Sequence, residues 1–166
     1  MTFASRWKTQ KGENGHDQGL DFQRLSLNNN YLFIPKKELL MKTSEMVLNF
    51  LRSQGFLPEV DPEDGNITFK YQMANFVFIN NDDDEEFFQL LMPTIFEVTD
   101  DNREIVYEAV NKINISIKVI KASIIDNAVW LFFENTLDQS PEVEVVIIRA
   151  LQILYAARHE FYLEVS

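Results

Sequence analysis

The spacing of apolar residues changes at Gly55, and that change restricts the chain to folds that combine helices with strands. From Pro35 onward, Leu39, Leu40, Thr43, Met46, Val47, Phe50 and Leu51 recur every three or four residues, which places them on one face of a helix that Gly55 is suited to end. Beyond it, Ile67, Phe69 and Tyr71 alternate with Asn66, Thr68 and Lys70, the period of a half-buried strand. Between them Asp61, Pro62, Glu63, Asp64 and Gly65 spell a turn whose glycine can take positive φ, and Glu59 and Val60 leave room for a short extra strand. Residues 76–79 and 87–98 give two more strands, with Pro93 marking a bulge or an edge position. Three such neighbours in a row predict an antiparallel meander.

A second helix follows, with Asp101 at the N-cap, Glu104 three residues on, and an apolar face of Ile105, Val106, Ala109, Val110, Ile113 and Ile117. Residues 118–125 and 128–134, joined by Asp126 and Asn127, read as a hairpin. Ser140 as N-cap and Pro141 at the first helical position announce a third helix running towards Leu163. The expected product is an α+β domain over residues 35–166, an antiparallel sheet with helices packed on one face, in the order α-β-β-β-α-β-β-α. Residues 1–34 read as a flexible extension: Gly12, Gly15, Gly19 and the run Asn28, Asn29 and Asn30 interrupt apolar residues that follow neither period. Met41, at the edge of the first strong helix, is the expected biological start, which an intact mass of the native protein would test.

The formal net charge is -11, and the residues after Asn30 are more acidic still, because the first thirty hold four basic side chains against three acidic ones. Such a surface repels a phosphate backbone and argues against nucleic acid as a partner. There is no cysteine, which removes thiolate chemistry and fits a reducing compartment, so the cytoplasm is the expected location. The longest apolar runs, such as residues 129–133, are far short of the ~20 needed to span a bilayer, and no membrane role is expected. Of the two histidines, His16 falls in the extension and His159 near the end of the third helix, and neither is spaced with a triad partner or a second metal ligand. The acidic run Asp82, Asp83, Asp84, Glu85, Glu86 is the conspicuous polar feature. Consecutive carboxylates diverge, unlike the alternate oxygens of a calcium loop, so a solvated turn is the plainer reading and a cation loop at Asp82, Asp83 and Asp84 the sharper one. No phosphate-cradling glycine pattern occurs, and no enzymatic activity and no cofactor are expected.

The remaining signals concern surfaces. In the third helix Val143, Ile147, Ala150, Leu151, Leu154, Arg158 and Phe161 form the stripe expected to cover the sheet. A second stripe of Val145, Ile148, Gln152, Tyr155, His159 and Tyr162 suits either burial or a contact with a partner or a second copy, because Tyr and His tolerate half-wet interfaces. Phe76, Phe78, Phe87 and Phe88 are expected in the core.

Two stretches carry a resemblance: residues 49–71, NFLRSQGFLPEVDPEDGNITFKY, and residues 150–162, ALQILYAARHEFY, together with Asn111, Lys112, Ile113 and Asn114. Over about residues 41–163 the chain resembles the YbjN family, whose members are similar in fold to type III secretion chaperones. The resemblance implies a small bacterial protein of sensory or regulatory kind without enzymatic activity, and secretion chaperones of that fold dimerise and hold an extended client on apolar patches. The expected function is therefore a non-enzymatic protein-binding module, chaperone-like or regulatory, with an unidentified protein client and a homodimeric state. A small-molecule or divalent-cation sensor, using the acidic run or an apolar pocket beneath the first helix, is the alternative.

Overall fold

The computed structural model describes residues 42–81, 83–84, 86–138 and 141–166. The expected extension over residues 1–34, Met41 and Ser140 lie outside them. Among the described residues three helices and six strands follow one another as α1 (Thr43–Ser53), β1 (Glu59–Val60), β2 (Ile67–Tyr71), β3 (Ala74–Phe78), β4 (Phe87–Glu97), α2 (Arg103–Ser116), β5 (Ile120–Ile125), β6 (Ala128–Thr136) and α3 (Val143–Glu164). The strands form one sheet in the order β1-β2-β3-β4-β6-β5, every pair antiparallel. The α+β class and the meander match the expectation, and the short strand at Glu59 adds to β2 at the edge.

Helix α1 buries Thr43, Val47, Phe50 and Leu51. Gly55 then ends it at φ +80, with Gly55 N–H donating to Arg52 O and Phe56 N–H to Leu51 O, both at 3.0 Å, the paired bonds of a left-handed glycine cap. Strand alternation sorts the sheet into two sides. Ile67, Phe69, Phe76, Phe78, Phe88, Leu90, Met92, Leu131 and Phe133 join Val106, Ala109 and Ile113 of α2 and the buried side of α3 in one core. The other side carries Val77, Leu91, Trp130 and Phe132, also buried. Beside them Gln89 donates to Glu134 at 2.7 Å and Lys121 bridges the same carboxylate at 2.7 Å. Of the four expected core phenylalanines, Phe76, Phe78 and Phe88 are buried and Phe87 is half-buried.

Pro93 sits in a bulge: the β4 to β6 register shifts between Met92 and Phe96, and Thr94 takes φ 50. Two helix starts differ from expectation. Asn102, not Asp101, precedes α2; its side chain accepts from Thr99 N–H at 2.8 Å and donates to Glu97 O at 3.0 Å, so it ties down the approach to the helix. Helix α3 begins at Val143, two residues beyond Pro141. At the far edge, Asn114 Oδ1 accepts from Ala122 N–H at 2.7 Å and Asn114 Nδ2 donates to Ala122 O at 3.1 Å, so a side-chain amide occupies the outward backbone groups in the middle of β5.

Candidate functional site

Helix α3 has two unlike sides. Val143, Ile147, Ala150, Leu151, Leu154, Ala157 and Phe161 are buried, which reproduces the expected covering stripe except that Ala157 takes the place of Arg158. Arg158 is half-buried at the margin, its guanidinium 5.5 Å from the centre of the Tyr162 ring, a stacking that keeps the charge at the water boundary.

The second stripe divides by depth. Val145 and Ile148 are 46% and 49% exposed, and Gln152 and His159 are exposed too. Tyr155 and Tyr162 are half-buried and direct their hydroxyls inward. Tyr155 donates to Tyr71 O at 2.6 Å, with Gln72 O at 3.0 Å, at the point where β2 turns into β3. That turn is made by Gln72 at φ 42 and Met73 at φ 65, a mirror-image hairpin turn without its usual Asn or Gly. Tyr162 donates to Ile95 O at 2.5 Å, at the β4 bulge. The two phenols therefore fasten α3 to two irregular points of the sheet, the β2 to β3 turn and the β4 bulge. The Tyr155 ring also joins Phe76 at 5.9 Å and Tyr71 at 5.8 Å, and through them Phe56 and Phe69.

Burial pushes the Tyr155 phenol above its ordinary pKa, against a smaller lowering influence of Arg158. The folded state thus holds this proton more tightly than the unfolded chain. The associated stability is intact below the unfolded value of about 10 and declines as pH rises through the higher folded value. Tyr155→Phe is expected to cost about 1–2 kcal/mol at neutral pH, because two turn carbonyls lose their donor. It should also flatten the alkaline decline, as read by urea unfolding on either side of the unfolded pKa.

Farther along the outer side, Arg149, Ala156 and Glu160 are exposed, and Leu163 is 57% exposed. These join Val145, Ile148, Gln152 and His159 in one strip along α3. Tyr155 and Tyr162 of the expected stripe thus lie deeper than its other members, and Leu163 prolongs its exposed part, a difference in depth that helical periodicity does not reveal.

Asp82 and Glu85 lie outside the described residues. Asp83 and Asp84 are exposed, Asp84 N–H donates to Asn81 O and Phe87 N–H to Asp84 O, each at 3.1 Å, so this segment closes as a turn. Among the described residues no three His, Asp or Glu side chains gather to hold a metal ion. A hollow at the start of α1, lined by Lys42, Thr43, Ser44, Asn80, Asn81 and Asp84 with Phe78 and Phe87, has a volume of ≈ 10 Å³. That is room for a single water, far below the roughly 300 Å³ of a small-molecule site. Among the described residues no helix is long and apolar enough to cross a membrane.

Residues 43–149 match the family described as "YbjN: Putative bacterial sensory transduction regulator". The chain belongs to the YbjN family. The match runs from α1 through the whole sheet and α2 into the first turns of α3, so it holds Val145, Ile148 and Arg149 of the outer strip and stops before Gln152. Two solved structures share the fold at low identity. An uncharacterized protein from Methanothermobacter thermautotrophicus superposes with TM-score 0.54 at 11% identity, covering 74% of this chain and 96% of that one. YbjN from E. coli, "a putative transcription regulator", gives 0.54 at 12%, covering 70% and 87%. The Yersinia pestis type III secretion chaperone SycH, solved in complex with a stable fragment of YscM2, gives 0.48 at 13%, covering 69% and 96%. No curated protein matches the sequence.

Proposed function

We propose that this YbjN-family chain is a non-enzymatic protein-binding module of regulatory or chaperone-like kind, acting in the cytoplasm, and that it docks a protein along the outer strip of α3. One observation carries the reading. Val145, Ile148 and Leu163, 46%, 49% and 57% exposed, share a single side of a helix whose other side is fully committed to the core. Large apolar side chains set among Arg149, Gln152, His159 and Glu160 have the make-up of a small apolar centre with a polar rim. The family description supports a regulatory role, and the net charge of -11 favours regulation through a protein over direct contact with nucleic acid.

A photo-crosslinking residue in place of Gln152, irradiated in cells, is expected to join the chain to a discrete protein, and Ile148→Asp to abolish the product. The control probe replaces Glu63, exposed in the turn before β2. Products identical at the two positions, or none at position 152, would sink the reading.

A further inference from the structure

The same strip of α3 carries a large apolar residue at each end, Val145 and Leu163, and one charge of each sign between them, Arg149 and Glu160. At 100° per residue, Val145, Gln152, Ala156 and Leu163 fall within about 20° of one line along the helix. Arg149 and Glu160 lie about 40–60° to one side of that line, and Ile148 and His159 about 40–60° to the other. Positions 145, 149, 152, 156, 159 and 163 are spaced four and three residues apart in strict alternation, the seam of a two-helix coiled coil, and all six are exposed. Neither Arg149 nor Glu160 has a hydrogen bond or ion pair among the described residues.

Resting on the reading that α3 docks a protein, the geometry points to a second copy of this chain as the occupant, its α3 antiparallel to the first about a two-fold axis at residue 154. An axis perpendicular to both helices brings the same flank of each helix together with its ends exchanged. Arg149 then meets Glu160 of the second copy, and Glu160 meets Arg149 of the second copy. On the other flank Ile148 meets His159 of the second copy, and along the centre Val145 faces Leu163 and Gln152 faces Ala156. Each of these pairs is centred within about half a residue of position 154, so the apolar ends meet and the two charges face their complements in one register. A parallel arrangement would bring opposite flanks together, setting Arg149 beside Ile148 and Glu160 beside His159 of the second copy, and would form no Arg149 to Glu160 pair. Self-pairing in this register places each charge of the strip opposite its complement, one on each side of the axis. Ala156 beside the axis leaves the two backbones free to approach closely.

Sedimentation velocity of the full chain, from micromolar to hundreds of micromolar, tests the pairing. Wild type is expected to dimerise reversibly. Arg149→Glu and Glu160→Arg should each weaken the dimer by roughly tenfold or more, since each sets like charges face to face at both ends. An equimolar mixture of these two variants should form a heterodimer, because every contact between them is complementary, and the double variant should recover the homodimer. Both positions are exposed, so far-UV circular dichroism should be unchanged throughout. A wild type that stays monomeric, a dimer indifferent to both single changes, or a mixture no better than its components overturns the pairing. The docking reading fails separately. If wild type is monomeric while the probe at position 152 joins a different protein, that reading stands and only the choice of occupant is wrong.

Discussion

Phe161→Ala is expected to lower stability by about 3–5 kcal/mol, the upper range for an aromatic removed from a close-packed core. Phe161 is 0% exposed and sits in the last turns of α3, its ring centre 5.5 Å from that of Phe96 and 6.1 Å from that of Tyr162. Neither neighbour is free to collapse into the space. Phe96 resumes the β4 to β6 pairing directly after the bulge, and Tyr162 is held to Ile95 O by its hydroxyl. The cavity should therefore persist, and the urea midpoint should fall steeply at nearly constant slope. Leu163→Ala, two positions on and 57% exposed, is the contrast and should change stability by less than about 0.5 kcal/mol. If both changes proved equally mild, the end of α3 would not be part of the cooperative core.

Gly65→Ala is the second large effect. Gly65 has φ +72, and a Cβ there would stand 2.7 Å from Asn80 Nδ2. Asn80 yields only by giving up a hydrogen bond. Its Nδ2 donates to Asp64 O at 3.3 Å and its N–H to Asn66 Oδ1 at 2.9 Å, while Asn66 donates from its N–H to Asp64 Oδ1 at 3.0 Å and from Nδ2 to Asp64 Oδ2 at 2.9 Å. Turning the Asn80 side chain aside forfeits its bond to Asp64 O, while Asn66 keeps its partners because its Oδ1 accepts from the Asn80 backbone. The expected loss is about 2–3 kcal/mol, left-handed strain plus the lost part-buried hydrogen bond. Gly55→Ala separates the two contributions, because at φ +80 nothing lies within 4 Å of its Cβ. It should cost only about 1–2 kcal/mol of conformational strain. Thermal unfolding of the two variants side by side measures the difference, and equal losses would refute the role given to Asn80.

Periodicity made the elements legible because each is patterned by the water boundary itself. The alternation of Ile67, Phe69 and Tyr71, and the spacing of Val143, Ile147, Ala150, Leu151 and Leu154, record which side of a strand or helix faces the core. Asp126 and Asn127 likewise announced the β5 to β6 turn, where they take φ 50 and 58. Gln72 and Met73 adopt the same kind of turn with no such signature, the position being set by strand pairing on either side and by Tyr155 reaching it from 83 and 84 residues away. Val119, at φ 60 in the link from α2 to β5, is equally unmarked. For the candidate surface, sequence located the helix but not the depth at which its second stripe lies. That depth is decided by what the hydroxyls of Tyr155 and Tyr162 find in the sheet, a contact between residues remote in the chain.

The amide of Asn114, bonded to both backbone groups of Ala122, gives the sheet two unequal ends. Edge-to-edge growth is a chain reaction that needs two receptive edges on every molecule, one to join and one to be joined. Among the described residues the β5 edge is occupied at its centre, at Ala122, and β1 is the other end of the sheet. In the language of polymerisation, a sheet with one end capped grows from the other alone.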